Sequence, residues 1–392
     1  MNVPKLRFKE FGDELEEKKL GEVAEIIMGQ SPSSSKYNEE FKGLPLIQGN
    51  ADCKNRKVYP RMYTKEITKE SFPNDIIMTV RAPVGAISFS DIHSCIGRGV
   101  CAIRNANKFI YHYLIKLEDS WDKLAQGSTF TAVNSNDIKN LVLNLPNSQE
   151  QKKIADFLSS VDKKISITEE KLNLFKDYKK GIMQKIFNQE LRFKDRNGND
   201  YPEWEKKNFQ ELVLLQRGSS PRPIVKYITT SSDGVNWIKI GDTNKENRFI
   251  TSTSEKITKE GAKKSREVKK GEIILSNSMS YGRPFILKID GYIHDGWFVL
   301  RNYEKNLNRE FLCQLLGSEV VQRQYKKLAA GGVVENISSE LVNAVDIKLP
   351  CLEEQQKIAD FLSSIDNKID NLAVELENLK EFKKGLLQQM FV

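Results

Sequence analysis

Two stretches of the chain carry the same rhythm of apolar and polar positions. With Ile154 at heptad position a, the a positions are Ile154, Val161, Thr168, Phe175 and Ile182, and the d positions are Leu158, Ile165, Leu172, Lys179 and Ile186. Near the other end, a falls on Ile358, Ile365, Leu372, Leu379 and Leu386, and d on Leu362, Ile369, Leu376, Lys383 and Met390. Only Thr168, Lys179 and Lys383 interrupt the two seams, and the remaining positions are rich in Lys, Glu, Asp and Asn. A sustained period of 3.5 residues with charged flanks predicts two coiled-coil helices, although the core of a helical bundle would show a similar pattern. At 1.5 Å per residue, helices of ~38–42 residues make rods of ~57–63 Å. Upstream the rhythm shortens to β-prone runs such as "IIMTV", "VCAI" and "LVLNLP", set between the turn signals "GQSPSSS" and "RAPVG". That pattern predicts a mixed α/β module before each helix.

The modules are copies. Residues 146–187 match 350–391 at a constant offset of 204, with about half the positions identical. "EQKKIADFLSSVDKKI" at 150–165 answers "EQQKIADFLSSIDNKI" at 354–369. Upstream, "LAQG" (124–127) answers "LAAG" (328–331) at the same offset. The offset then falls to 197 at "DIIMTVRAPVG" against "EIILSNSMSYG" and at "GVCAIRN" against "GWFVLRN". It reaches 192 at "LIQGN" against "IKIGD", 189 at "GQSP" against "GSSP", and 185 at the two "LRFK" segments. A monotonic drift of this kind marks a tandem duplication with a few loop insertions, in a unit too long for a solenoid repeat. The copies differ most between their shared landmarks. Asn277-Ser278 stands opposite Val80-Arg81, and Tyr281-Gly282-Arg283 opposite Val84-Gly85-Ala86.

Composition narrows the chemistry. Among 392 residues, 61 Lys and Arg against 53 Asp and Glu leave a net charge of +8, which permits a nucleic-acid partner without requiring one. Five scattered cysteines in no CxxC pair fit neither a disulfide framework nor a zinc site, and they suit a reducing cytoplasm. No apolar run approaches the ~18–20 residues that span a bilayer, and the first residues do not read as a signal peptide. No phosphate-binding GxxxxGK[ST] loop, GxGxxG turn or spaced histidine set is present, so no metal or catalytic group is expected. One nuclease-like fragment, Asp346 and Lys348 in "VDIKLP", has no partner carboxylate and reads as an edge strand.

What remains is recognition. Two basic clusters suit phosphate contacts: Lys54, Arg56, Lys57, Arg61 and Lys65 around Tyr59 and Tyr63, and Lys259, Lys263, Lys264, Arg266, Lys269 and Lys270. Base choice needs forked or amide side chains in loops. The candidates are Gln48, Asn50, Arg81 and Arg98 in the first module, and Arg217, Arg222, Asn277 and Arg283 in the second. One scaffold carrying different loops predicts two domains reading two short sequences, free of the palindromy that a symmetric dimer imposes.

The duplicated "EQ(K/Q)KIADFLSS(V/I)D(K/N)KI" helices ending in "KKG(I/L)(M/L)Q", the "LP" before each, and "WIKIGD" at 237–242 together resemble the specificity subunits of type I restriction–modification systems. The matching first-module segment "LPLIQGN" departs from the last motif but keeps Gly49. The resemblance implies an α+β fold: a tandem duplication of a mixed α/β target-recognition domain followed by a long helix, the two helices pairing as an antiparallel coiled coil. The expected divisions are target-recognition domains at 1–145 and 191–349 and spacer helices at 146–190 and 350–392. Helix packing would rest on Ile154, Leu158, Val161, Ile165 and Leu172, and on Ile358, Leu362, Ile365, Ile369 and Leu376. The implied function is non-catalytic: each domain binds half of an asymmetric, bipartite DNA site. The implied partners are double-stranded DNA, two methyltransferase subunits using S-adenosylmethionine, and two restriction subunits using ATP and Mg²⁺, with no cofactor on this chain. The residues leave two other readings open, a self-contained nuclease and a coiled-coil scaffold for ligand- or protein-binding modules.

Overall fold

The computed structural model describes residues 3–118, 120–121, 132–243, 248–277, 282–329 and 337–392. Leu124, Ala125, Gly127, Ser278, Tyr281 and Gly331 of the repeat lie outside them. The chain forms two units, 1–170 with 373–392 and 171–372, so each division point falls within a long helix.

In the first unit, among the described residues, strands form a two-stranded ribbon and two mixed sheets. The larger sheet runs Glu25–Met28, Val100–Arg104, Ile76–Thr79, Ile87–Phe89, Lys57–Val58, Cys53–Lys54. The smaller runs Tyr37–Asn38, Met62–Thr64, Leu44–Ile47, Ser94–Ile96, Glu70–Ser71. All four residues of Ile76–Thr79 are buried. This is why that strand reads as an unbroken apolar run instead of an alternation: both its faces are covered. Helix Lys108–Lys116, capped by Asn107 accepting the Ile110 N–H at 3.0 Å, packs Phe109, Ile110, Tyr113 and Leu114 into the core.

The second unit repeats the plan. Its sheets run Leu214–Arg217, Trp297–Arg301, Ile273–Ser276, Pro284–Leu287, Phe249–Ile250, and Ile228–Thr229, Glu255–Ile257, Val235–Ile238, Gly291–Ile293, Arg266–Val268. Helix Arg309–Gly317 is capped by Asn308 as its counterpart is by Asn107. The strand Asp346–Leu349 pairs with Glu205–Asn208, and Asp346 forms an ion pair with Lys206 at 2.7 Å. The nuclease-like fragment is therefore one strand of a ribbon. No group of three or more metal-ligating side chains occurs among the described residues.

The two seams are helices Ser148–Phe187 and Leu352–Met390. Every a and d position in both is buried or half-buried. The helices run antiparallel within each unit. In the first, Ile154, Leu158 and Val161 share a core with Leu386, Leu387 and Met390. In the second, Ile358, Leu362 and Ile365 share one with Ile186 and Phe187, with Ile369 packed against it. Leu172 and Leu376 are buried, and Ile165 is half-buried.

The polar interruptions prove to be part of the packing. Lys179 meets Asp366 at 2.6 Å in one unit, and Lys383 meets Asp162 at 2.5 Å in the other, the same pair made twice. Thr168 is itself buried. No helix among the described residues is long and apolar enough to cross a membrane.

Candidate nucleic-acid interface

Each module presents three loops at one end of its sheets, and glycines set how closely they pack. A side chain at Gly29 would place its Cβ 2.1 Å from the Gly97 carbonyl oxygen. At the equivalent Gly218 it would lie 2.1 Å from the His294 oxygen. The "GQSP" and "GSSP" loops can therefore lie against the "GRG" (97–99) and "HDG" (294–296) turns only because glycine stands there.

In the first module these turns gather Gln48, Arg98 and Arg81. The backbone N–H of Arg98 donates to Ser31 Oγ at 3.0 Å, and its exposed guanidinium has no partner among the described residues. Gln48 lies beside Gly97 and Gly99, while the exposed Arg81 follows Val80, whose N–H donates to the Gly99 carbonyl. Asn50 is exposed at the start of a short 3-10 turn, Asn50–Asp52. Within that turn the buried Asp52 carboxylate accepts the Gln48 N–H at 2.8 Å and the Arg61 Nε–H at 3.0 Å.

The structure divides the first basic cluster. Lys54, Arg56 and Lys57 form a hairpin lining a cleft of about 1100 Å³ with Lys108, Lys380 and Lys384. Arg56 is held there: it donates to the Ile87 carbonyl at 3.2 Å and forks onto the Glu118 carboxylate, so its guanidinium is engaged within the fold. Lys54 lies over the Tyr59 ring at 5.9 Å, and Lys57 is exposed. Beside them, His112 is fully buried against Ser159 and Asp162. Burial first, then the Lys383 charge, pushes its pKa down to about 3.

In the second module Asp295 is the hub. Its carboxylate accepts from Ser220 Oγ at 2.6 Å and from Arg222 Nη2 at 3.4 Å. Its carbonyl accepts from Arg217 Nε at 3.1 Å and Asn277 Nδ2 at 2.7 Å. The Ser220 hydrogen bond, chiefly, holds the Asp295 pKa below the ordinary carboxylate value. Asn277 is 4% exposed and is committed to that carbonyl, so it supports the loop from beneath instead of facing outward. Arg266 is half-buried and donates to the Arg217 carbonyl at 3.1 Å. Lys263 is exposed, and Lys264 donates to the Tyr227 hydroxyl at 2.5 Å. Arg283 is half-buried over the Phe285 ring at 5.0 Å.

Asp52, Ser220, Asp295 and the half-buried Arg248 were not among the candidates from sequence. Arg248 crosses from Phe249–Ile250 to Asp366 at 3.1 Å. At the offset of 192 it stands where Arg56 stands, and that register was the available signal.

Both halves of this arrangement match one sequence family. The model of the type I restriction modification DNA specificity domain matches residues 12–176 and again 201–381. The chain belongs to that family.

Among relatives of this specificity domain, the type I restriction enzyme MjaVIII specificity subunit of Methanocaldococcus jannaschii is 25% identical over 397 residues, covering 94% of this chain and 90% of that protein. The putative MjaX specificity subunit of the same organism is 36% identical over 174 residues. That alignment covers 43% of this chain and 41% of the relative, so the chain spans about two fifths of the length of this relative. The crystal structure of the type I restriction–modification S subunit from M. genitalium has the same fold. Its TM-score is 0.66 at 17% identity, with 100% of this chain and 99% of that chain covered. The α+β fold with duplicated domains expected from the sequence is thus the fold of the family.

Proposed function

We propose that this chain is the DNA-reading subunit of a type I restriction–modification complex. In this reading the loops of each module bind one half of an asymmetric, bipartite duplex site. The observation that carries it is the duplication itself: one scaffold, matched twice by the DNA specificity domain, with unlike side chains at its loop tips. Two unlike readers in one chain give a non-palindromic site with a gap between halves.

The module boundaries follow the sequence divisions, with reading domains at 1–145 and 191–349 and spacer helices at 146–190 and 350–392. Phosphate contacts fall to exposed lysines such as Lys57 and Lys263, and base contacts to the loop tips. The chain performs no chemistry itself. Two methyltransferase subunits carry S-adenosylmethionine and methylate adenine after flipping it from the duplex. Two restriction subunits supply the ATP- and Mg²⁺-dependent cutting. The complex acts on DNA in the cytoplasm.

Methylation mapping tests this reading. The chain is co-expressed with a partner methyltransferase in cells lacking other adenine methylation, and the modified bases are sequenced. A split, asymmetric motif with a fixed gap is expected. An assembled complex that leaves no motif would overturn the proposal.

A further inference from the structure

Superposing the two modules by their sequence register places Arg98 opposite Asp295, a reversal of charge at one loop tip. The frame around that tip is retained. Ser31 and Ser220 occupy equivalent positions, and each accepts the backbone N–H of the tip residue, at 3.0 and 3.4 Å. Val80 and Asn277 are likewise equivalent, and their N–H groups donate to the carbonyls of the equivalent Gly99 and Gly296. The backbone thus presents the tip in the same way in both modules.

What the tip touches is entirely different. The three residues that converge on Asp295 with Ser220 are Arg217, Arg222 and Asn277. Their first-module equivalents are Met28, Ser33 and Val80, none of which carries a guanidinium or an amide. The second module therefore carries a complete polar set around a carboxylate, of which the first retains only the serine, Ser31. In its place the first module has one guanidinium without a partner among the described residues, at the same tip. Four substitutions that make sense only together point to function, because a scaffold needing only stability would not require them in one copy alone.

We infer that this tip is the position at which the two modules read different bases. In the first module Arg98 itself supplies the two-pronged donor for a guanine edge, O6 and N7. In the second, Asp295 is a positioning residue: it holds one Nη of Arg222 and the Nε of Arg217 through its carboxylate and carbonyl. Arg222 keeps an exposed side chain (81%) with its other donors directed by that anchor to a second guanine. The inference rests on the DNA-reading function proposed above and names the residues that carry it.

The test uses the complex with its methyltransferase and reads the methylated motif for the wild type and for R98A, R98K, D295N and R222Q. R98A is expected to relax one position in one half-site, its discrimination against the wrong base falling by roughly 5- to 150-fold. D295N keeps the size of the side chain and R222Q removes its anchored fork. Both are expected to relax one shared position in the other half-site, leaving the first half intact. R98K keeps the charge without the fork, and it should relax the motif as R98A does. If R98K restores the wild-type motif while R98A weakens methylation of all sequences alike, Arg98 contacts phosphate and the inference falls. It falls equally if D295N leaves both half-sites unchanged, or if the variants relax the same half. Competition binding of the purified complexes to duplexes differing at single positions reads the same outcomes for any variant whose methylation is lost. A wild type without a bipartite motif would instead refute the underlying function, which keeps the two failures distinct.

Discussion

At the residue scale, the repeated "EQ" that opens each long helix has a mechanical explanation. Glu150 is buried and accepts Arg7 through two hydrogen bonds of 2.7 Å. Glu354 accepts Arg192 at 3.2 and 2.8 Å and the Trp204 indole N–H at 3.0 Å. Gln151 and Gln355 donate to the carbonyls of Pro146 and Pro350, at 2.8 and 2.9 Å. The "LRFK", "LP" and "EQ" signatures are thus one joint, made twice, that pins the start of each module to the helix following it. His112 gives this scale its prediction. Its pKa of about 3 in the fold lies below the ~6.5 of an unfolded histidine, so the unfolded chain takes up the proton first. The stability from burying neutral His112 is complete above about pH 6.5 and is lost as pH falls toward 3. At pH 5 this group alone lowers stability by about 2 kcal/mol relative to pH 8. The second module carries Cys313 at the matching helix position, with its thiol pKa pushed up to about 12 by burial. His112→Cys should therefore reduce the difference between denaturant-derived stabilities at pH 5 and pH 8 by that amount. An unchanged difference would show that His112 is not the titrating group.

At the element scale, the two Lys–Asp pairs across the helices are equivalent in position and unequal in surroundings. Asp366 is nearly buried and also accepts from Gln314 at 2.6 Å and Arg248 at 3.1 Å. Asp162 is about a third exposed and has Lys383 as its ion-pair partner, with His112 at 3.8 Å. Asp366→Ala should therefore cost roughly 3–5 kcal/mol, because Lys179 and Gln314 lose their carboxylate and Arg248 keeps only Glu310 at 3.8 Å and Asn367 at 3.4 Å. Asp162→Ala should cost less, about 3 kcal/mol, because it leaves a single charge, the buried Lys383, without its carboxylate. Guanidine unfolding of the two variants checks the order, and equal costs would contradict this account.

The same elements show what was legible in the sequence. The helices were, because ten seam positions in each repeat on one period, and even the lysines on that seam turned out to be paired. The division of the strands between two sheets was not. Most are two to five residues long, too short to show a period, and their partners are distant in sequence. The basic cluster from Lys54 to Lys65 read as one patch, but a hairpin turn sends Arg56 to Glu118 and leaves Arg61 with Asp52. Asp295 escaped notice because a carboxylate is not an obvious DNA-reading group until the residues around it are seen.

At the scale of the whole molecule, the proposed function makes the paired helices a ruler for the gap between half-sites. Because the helices are antiparallel, lengthening one alone would throw its seam out of register with the other. A matched insertion keeps the seam: one heptad after Glu170 in the first helix and one after Leu372 in the second. Seven residues add about 10 Å, since each contributes 1.5 Å of rise. With base pairs about 3.4 Å apart, the preferred gap should lengthen by about three base pairs while both half-sites stay the same. A four-residue insertion in each helix shifts the heptad phase, and it should lower stability as well as blur the gap. Methylation mapping of the matched-heptad variant measures both quantities at once. Retention of the original gap by a folded, active variant would mean that something other than helix length sets the distance, and that the repeated helices serve only to dock the partner subunits.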